Sequence, residues 1–172
     1  MSFFNVFSHE PPIIILGIQT LPNGTPKHTV ANIRRTGEFV VHMVDMAIAE
    51  QMILTGIDFP DGTDEIALAN LTAEASRKVD AQRIKESPCA MECVVEKLID
   101  YDRRCIVLGR VVQMYVRDDC LDDAKRYVRP SAYQPIARLH ADNYIVSDRQ
   151  FELKEPTAIE GEIWSAVRMR RM

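Results

Sequence analysis

The chain has 172 residues, 47% of them apolar and 27% charged, with a formal net charge of −4 at neutral pH. That length suits one compact domain with a sizeable core, and the composition excludes a disordered chain. The acidic balance excludes the broad basic face that nucleic acid demands, and no apolar stretch approaches the ~20 residues that span a bilayer.

After Pro11 and Pro12, the β-branched run over 13–18 predicts a buried strand. LPNGTP at 21–26 is a turn pivoting on Asn23 and Gly24. Residues 28–36 predict a helix with Val30, Ala31 and Ile33 on one face, ended by Gly37. EFVVHMV at 38–44 reads as a strand. Asp45 is placed to cap a second helix over 46–54, packing through Ala47, Ile48, Met52 and Leu54 and stopped by Gly56. A loop over 58–65 leads to a short helix at 65–70, and 76–87 is polar and irregular.

Two long strands follow, 89–99 and 105–116, joined by DYDRR into an antiparallel hairpin. In the first, Met91, Cys93 and Val95 face one way and Glu92, Val94 and Glu96 the other, so one side is partly polar. The second is apolar on both faces, which makes it a central strand. A short helix over 122–128 comes next, then interruptions at Pro130 and Pro135. PIARL, an ADNY turn and an extended RQFEL complete a domain over 1–155. Residues 156–172 form a tail with Trp164 on a final helix. The fold class is mainly β with short helices, an antiparallel sheet or barrel.

Familiar catalytic devices are missing. Gly17, Gly24 and Gly37 are scattered, so there is no phosphate loop. His9, His28, His42 and His140 share no metal-ligand spacing, and Ser87 and Ser131 lack a nucleophile-elbow context. Cys89, Cys93, Cys105 and Cys120 contain no CxxC pair and read as small buried hydrophobes kept reduced in the cytoplasm. Arg168, Arg170 and Arg171 read as a solvated terminus.

Two segments carry ligand chemistry. SFFNVFS sets Ser2, Asn5 and Ser8 among Phe3, Phe4 and Phe7, a mixture of apolar rings and polar edges suited to a flat heteroaromatic ligand. KHTVANI sets Lys27 and Thr29 at a helix start, where free amides and the dipole favour a phosphate. Chemistry alone favours the plainer reading, with Thr29 as a cap and Lys27 as a solvated surface charge.

SFFNVFSHEPPIIILGI, KHTVANIRRTGEFVVHMV, RIKESPCAMEC, VVQMYVRDD and PIARLHADNYIVSDRQFEL occur in the order in which similar pieces occur in the flavin reductase-like family, from residue 2 to about 153. The chain resembles that family, whose pattern reads SFFN-x-x-S-x-x-PP, K-D-T-x-x-N-I and G-E-F-V-V-N. The resemblance implies an FMN-binding split β-barrel, a homodimer with FMN near the subunit interface, and NAD(P)H as electron donor. By position it implies that Ser2, Phe3, Phe4, Asn5 and Ser8 line the flavin. Lys27 and Thr29 hold its phosphate, and Arg138 and Tyr144 reach the site. Three positions depart from the family pattern: His28 replaces Asp, His42 replaces Asn, and HADNY replaces a glycine-richer turn. A fourth expectation is that the chain starts after the family's first hairpin, leaving a sheet edge to be covered by its tail or a partner subunit.

Three functions follow from the resemblance. One is an FMN-dependent oxidoreductase fed by NAD(P)H, in which the flavin carries the chemistry and no catalytic residue is required. The others are a flavin-binding carrier or sensor, and a degenerate member without flavin.

Overall fold

The apolar run after the double proline becomes the second strand of the main sheet. In the computed structural model, which describes residues 3–60, 62–149 and 151–153, β1 (Phe4–His9) and β2 (Pro12–Gln19) form a hairpin. Helix α1 (His28–Thr36) matches its sequence boundaries. It buries Val30 and Ile33, one turn apart on the same face, and ends at Gly37, whose φ of 74° suits a residue without Cβ. Strand β3 (Glu38–Met43) follows. Asp45 does cap the next segment, accepting from the Ala47 amide at 3.1 Å. The expected single helix is divided, however, into a 3-10 turn, Met46–Ile48, and α2 (Ala49–Leu54), because Ile48 leaves helical geometry at φ −121° and ψ 18°.

The remaining elements are α3 (Glu65–Leu68), β4 (Ala73–Glu74), β5 (Arg83–Ile84), β6 (Cys89–Tyr101), β7 (Arg104–Val116), a 3-10 turn, Asp118–Cys120, β8 (Ile136–His140) and β9 (Asn143–Val146). Five strands make one antiparallel sheet in the order β1-β2-β7-β6-β3. Strand β7 is central, as its two apolar faces require. Strands β4 with β5, and β8 with β9, form two separate ribbons. The core gathers Ile14, Leu16 and Ile18 of β2, Cys105 and Val107 of β7, Met91 and Cys93 of β6, Phe39 of β3, and the buried face of α1. Gly109 is part of this fit. A Cβ there would stand 2.4 Å from Cζ of the buried Phe39. Gly109→Ala is therefore expected to destabilise the fold by about 1–3 kcal/mol through overpacking, read as a lower denaturant midpoint at unchanged m.

Two expectations need correction, and a third gains its detail. The partly polar side of β6 is covered at Glu92, which is 1% exposed. The segment over 76–87 crosses the sheet there, and the Glu92 carboxylate accepts from the Arg77 amide at 3.0 and 3.1 Å and the Lys78 amide at 2.7 Å. Residues 122–128 are not a helix. The Asp122 carboxylate takes the Arg126 and Tyr127 amides, Lys125 sits at φ 52°, and Leu121 bridges to Val128, which together close a tight loop. The end of RQFEL forms no strand among the described residues, and Phe151 and Leu153 are exposed. Trp164 lies outside the described residues.

All four cysteines are free and buried. Burial pushes the Cys89 thiol up to about 11 and the Cys93 thiol up to about 12, so both stay protonated and unreactive at neutral pH. No helix among the described residues is long and apolar enough to cross a membrane.

Candidate functional site

A cavity of about 720 Å³ opens where the end of β2, the start of α1, the end of β3, the segment after α2 and the β8–β9 ribbon converge. Six residues singled out in the sequence line it: Phe3, Phe4, Lys27, Thr29, Arg138 and Tyr144. They come from three distant stretches of chain, and the sheet brings them together.

Each is placed by a local cause. The Gly17 amide donates to the Phe3 carbonyl at 2.9 Å, and a Cβ on Gly17 would stand 3.2 Å from Cβ of Phe3. A small residue on β2 thus lets Phe3 lie close against the strand. Lys27 occupies the N-cap of α1 with extended backbone, and its carbonyl accepts from the Val30 and Ala31 amides. No side chain caps this helix. Thr29 is therefore not the cap, and of the first-turn amides that of Val30 is taken by the Lys27 carbonyl at 2.9 Å. Lys27 Nζ meets Asp58 Oδ1 at 2.8 Å, so the lysine is paired rather than simply solvated. Arg138 and Tyr144 are direct partners across the β8–β9 ribbon. Arg138 Nε donates to the Ala141 carbonyl at 2.8 Å, which fixes the guanidinium beside the cavity.

Two of the other three candidates do not line this cavity. Asn5 lines an adjoining cavity of about 390 Å³ with Phe3, Phe4 and Gly17. Ser8 Oγ is engaged in the β1–β2 turn, donating to the Pro11 carbonyl at 2.7 Å, and lines neither cavity. Ser2 lies outside the described residues.

Other lining residues carry no sequence motif. Gln19, Asp58, Phe59 and Glu65 face the main cavity. Asp58 and Phe59 sit in the DFPDGTDE stretch, which reads only as a loop, since its apposition to Lys27 is a long-range contact. His42 also lines the cavity. Its Nε2 accepts from the Ile84 amide at 2.8 Å. Burial, aided by Arg83, lowers its pKa to about 4, so the ring is neutral near pH 7. Arg83 itself pairs with Glu74 at 2.5 Å and lies 4.0 Å over the Tyr115 ring.

The site offers aromatic walls, two cations and the open start of a helix. Its volume falls in the range of small-molecule sites, roughly 300–1,000 Å³. Among the described residues, no group of three or more His, Cys, Asp or Glu is arranged to hold a metal ion.

The model of the flavin reductase like domain matches residues 1–137. The chain belongs to the flavin reductase-like family. A 2-nitrobenzoate 2-nitroreductase of Pseudomonas fluorescens is 33% identical at a TM-score of 0.79, over 92% of this chain and 76% of that one. The nitrilotriacetate monooxygenase component B of Bacillus cereus is 32% identical at a TM-score of 0.79, over 88% of this chain and 76% of that one. A split-barrel protein of Shewanella frigidimarina assigned as a flavin reductase is 22% identical, over 90% of this chain and 76% of that one, and at a TM-score of 0.75 it shares the fold. The mainly antiparallel sheet with short helices is thus the family's split barrel, and the family's class is that of flavin-related oxidoreductases.

Proposed function

We propose that the protein is an FMN-binding oxidoreductase that takes reducing equivalents from NAD(P)H and passes them to an acceptor, working as a cytoplasmic homodimer. The observation that carries this reading is the convergence of Phe3, Phe4, Lys27, Thr29, Arg138 and Tyr144 on one cavity. The residues fit the group. Phe3, Phe4 and Tyr144 supply apolar faces for a flat ring system, and Asn5 lines the adjoining cavity. Lys27, Thr29 and the first turn of α1 supply charge, hydroxyl and amides for a phosphate. Ser8 lines neither cavity and donates to the Pro11 carbonyl, so this set is drawn without it.

When bound, FMN would supply hydride acceptance and onward electron release. The chain's own residues bind and orient the ligands and exclude water from between them. Arg138, held by the Ala141 carbonyl, adds a second cation at the cavity for an anionic part of either ligand. The homodimer is supported by β1, an edge strand of the described sheet that exposes Val6 and Phe7. The cytoplasmic assignment is supported by four free cysteines.

A visible absorbance titration with FMN, followed by NADH and NADPH oxidation, tests the reading. Lys27→Ala should weaken FMN binding about tenfold to a hundredfold, the loss of a charged hydrogen bond, and leave riboflavin binding unchanged. Equal binding of FMN and riboflavin by the unaltered protein would remove the phosphate role from Lys27.

A further inference from the structure

The charges around the cavity cancel. Lys27 and Arg138 face it, and so do Asp58 and Glu65. A site for a doubly charged phosphate therefore carries no net positive field from these four groups. The cancellation is most direct at Lys27, whose ammonium already holds the Asp58 carboxylate at 2.8 Å. Asp58 lies on the segment that follows α2, and Thr55, Gly56, Ile57 and Phe59 of that segment also line the cavity. Its neighbours' hydrogen bonds run back into α2: the Thr55 amide to Gln51, the Gly56 amide to Ile53 and the Ile57 amide to Leu54. Asp58 ties this segment to Lys27 at the start of α1.

We propose that Asp58 is a specificity-determining residue that competes with the ligand's phosphate for Lys27 and yields when a phosphate enters. This rests on the reading of Lys27 as a phosphate-holding residue. Two anions on one ammonium repel each other, so the incoming dianion and Asp58 are alternative partners for much of the lysine's charge. The pair is easily exchanged, because its side chains are 35% and 58% exposed and such pairs add little. Without phosphate, Lys27 and Asp58 hold each other at the cavity edge. With phosphate, Lys27 turns to the ligand and gives up this link to the segment carrying Ile57 and Phe59. A ligand lacking phosphate leaves the pair intact.

The test is calorimetric titration of the unaltered protein and of Asp58→Asn with FMN and with riboflavin, with thermal unfolding to confirm that both fold. Asparagine keeps the shape and removes the competing charge. FMN is expected to bind Asp58→Asn about two- to fivefold more tightly, with riboflavin unchanged, so the ratio of the two affinities rises. FMN affinity that falls or stays constant in Asp58→Asn would overturn the competitor role and leave Asp58 as a support for Lys27. Absence of both FMN and riboflavin binding in the unaltered protein would instead remove the flavin reading beneath it. Equal affinities for the two would remove the phosphate role of Lys27.

Discussion

Glu92→Leu is expected to cost about 2–6 kcal/mol of folding stability and to loosen the segment over 76–87 before the rest of the sheet. The reason is a count of orphaned donors. The Glu92 carboxylate is buried on β6 and accepts from the amides of Arg77 and Lys78. Leucine fills much of the volume and accepts nothing. Both amides then lose their partner against the buried face of β6, at about 1–3 kcal/mol each. Glu92→Gln retains one acceptor oxygen and should recover about half of the loss. Among the described residues, Glu92 is one of three side chains on the sheet that accept backbone amides of this segment. Glu38 takes the Asp80 and Ala81 amides at 2.6 and 3.1 Å, and His42 takes the Ile84 amide. Because His42 and the end of β3 line the cavity, loosening should reach the site as well. Hydrogen exchange at Arg77, Lys78 and Ile84 is the direct measurement. If exchange and denaturant midpoint in Glu92→Leu match the unaltered protein, the carboxylate is not what holds the segment.

The same residue shows where sequence reading stops. Alternation along β6 correctly sets Glu92 opposite Met91 and Cys93, but alternation identifies sides, not what covers them. The cover comes from Arg77 and Lys78, whose amides carry no side-chain signature. Bulges in the pairing of β6 with β7, between Glu92 and Cys93 and between Val95 and Lys97, also disturb strict alternation. Helix α1 was legible because its causes are local: Val30 and Ile33 one turn apart, and Gly37 at the end. Strand β7 was legible because two apolar faces leave only a central place. The loop over 122–128 was not, since helical composition lost to the Asp122 carboxylate, which satisfies local amides outside a helix. At the site, the aromatic and basic residues were recognisable by type. Asp58 and the engagement of Ser8 were not, because each depends on a partner placed by the fold.

Acid should weaken this protein through His42 in a window set by one histidine. In the fold its pKa is lowered from 6.5 to about 4, first by burial and then by Arg83. Between those values the unfolded chain binds a proton that the folded chain refuses. The stabilisation is complete above about pH 6.5 and disappears as pH falls toward 4, and at about 1.4 kcal/mol per pH unit it amounts to about 3 kcal/mol. Local geometry explains the refusal. Nε2 accepts from the Ile84 amide, so a proton there would set two N–H donors against each other beside the Arg83 guanidinium. Asparagine, the residue common in the family pattern at this position, offers an acceptor oxygen and does not titrate. Denaturant midpoints of the unaltered protein and of His42→Asn at pH 7 and pH 4.5 separate this group from the carboxylates, which both proteins share. The unaltered protein should lose about 2–3 kcal/mol more than His42→Asn over that interval. Equal losses would mean that the proton enters elsewhere. If the excess loss is found, the amide of Ile84 should also lose its exchange protection in the unaltered protein at pH 4.5. The cavity would then be altered along the end of β3 at the same pH, so flavin affinity and stability should decline together in the unaltered protein and separately in His42→Asn.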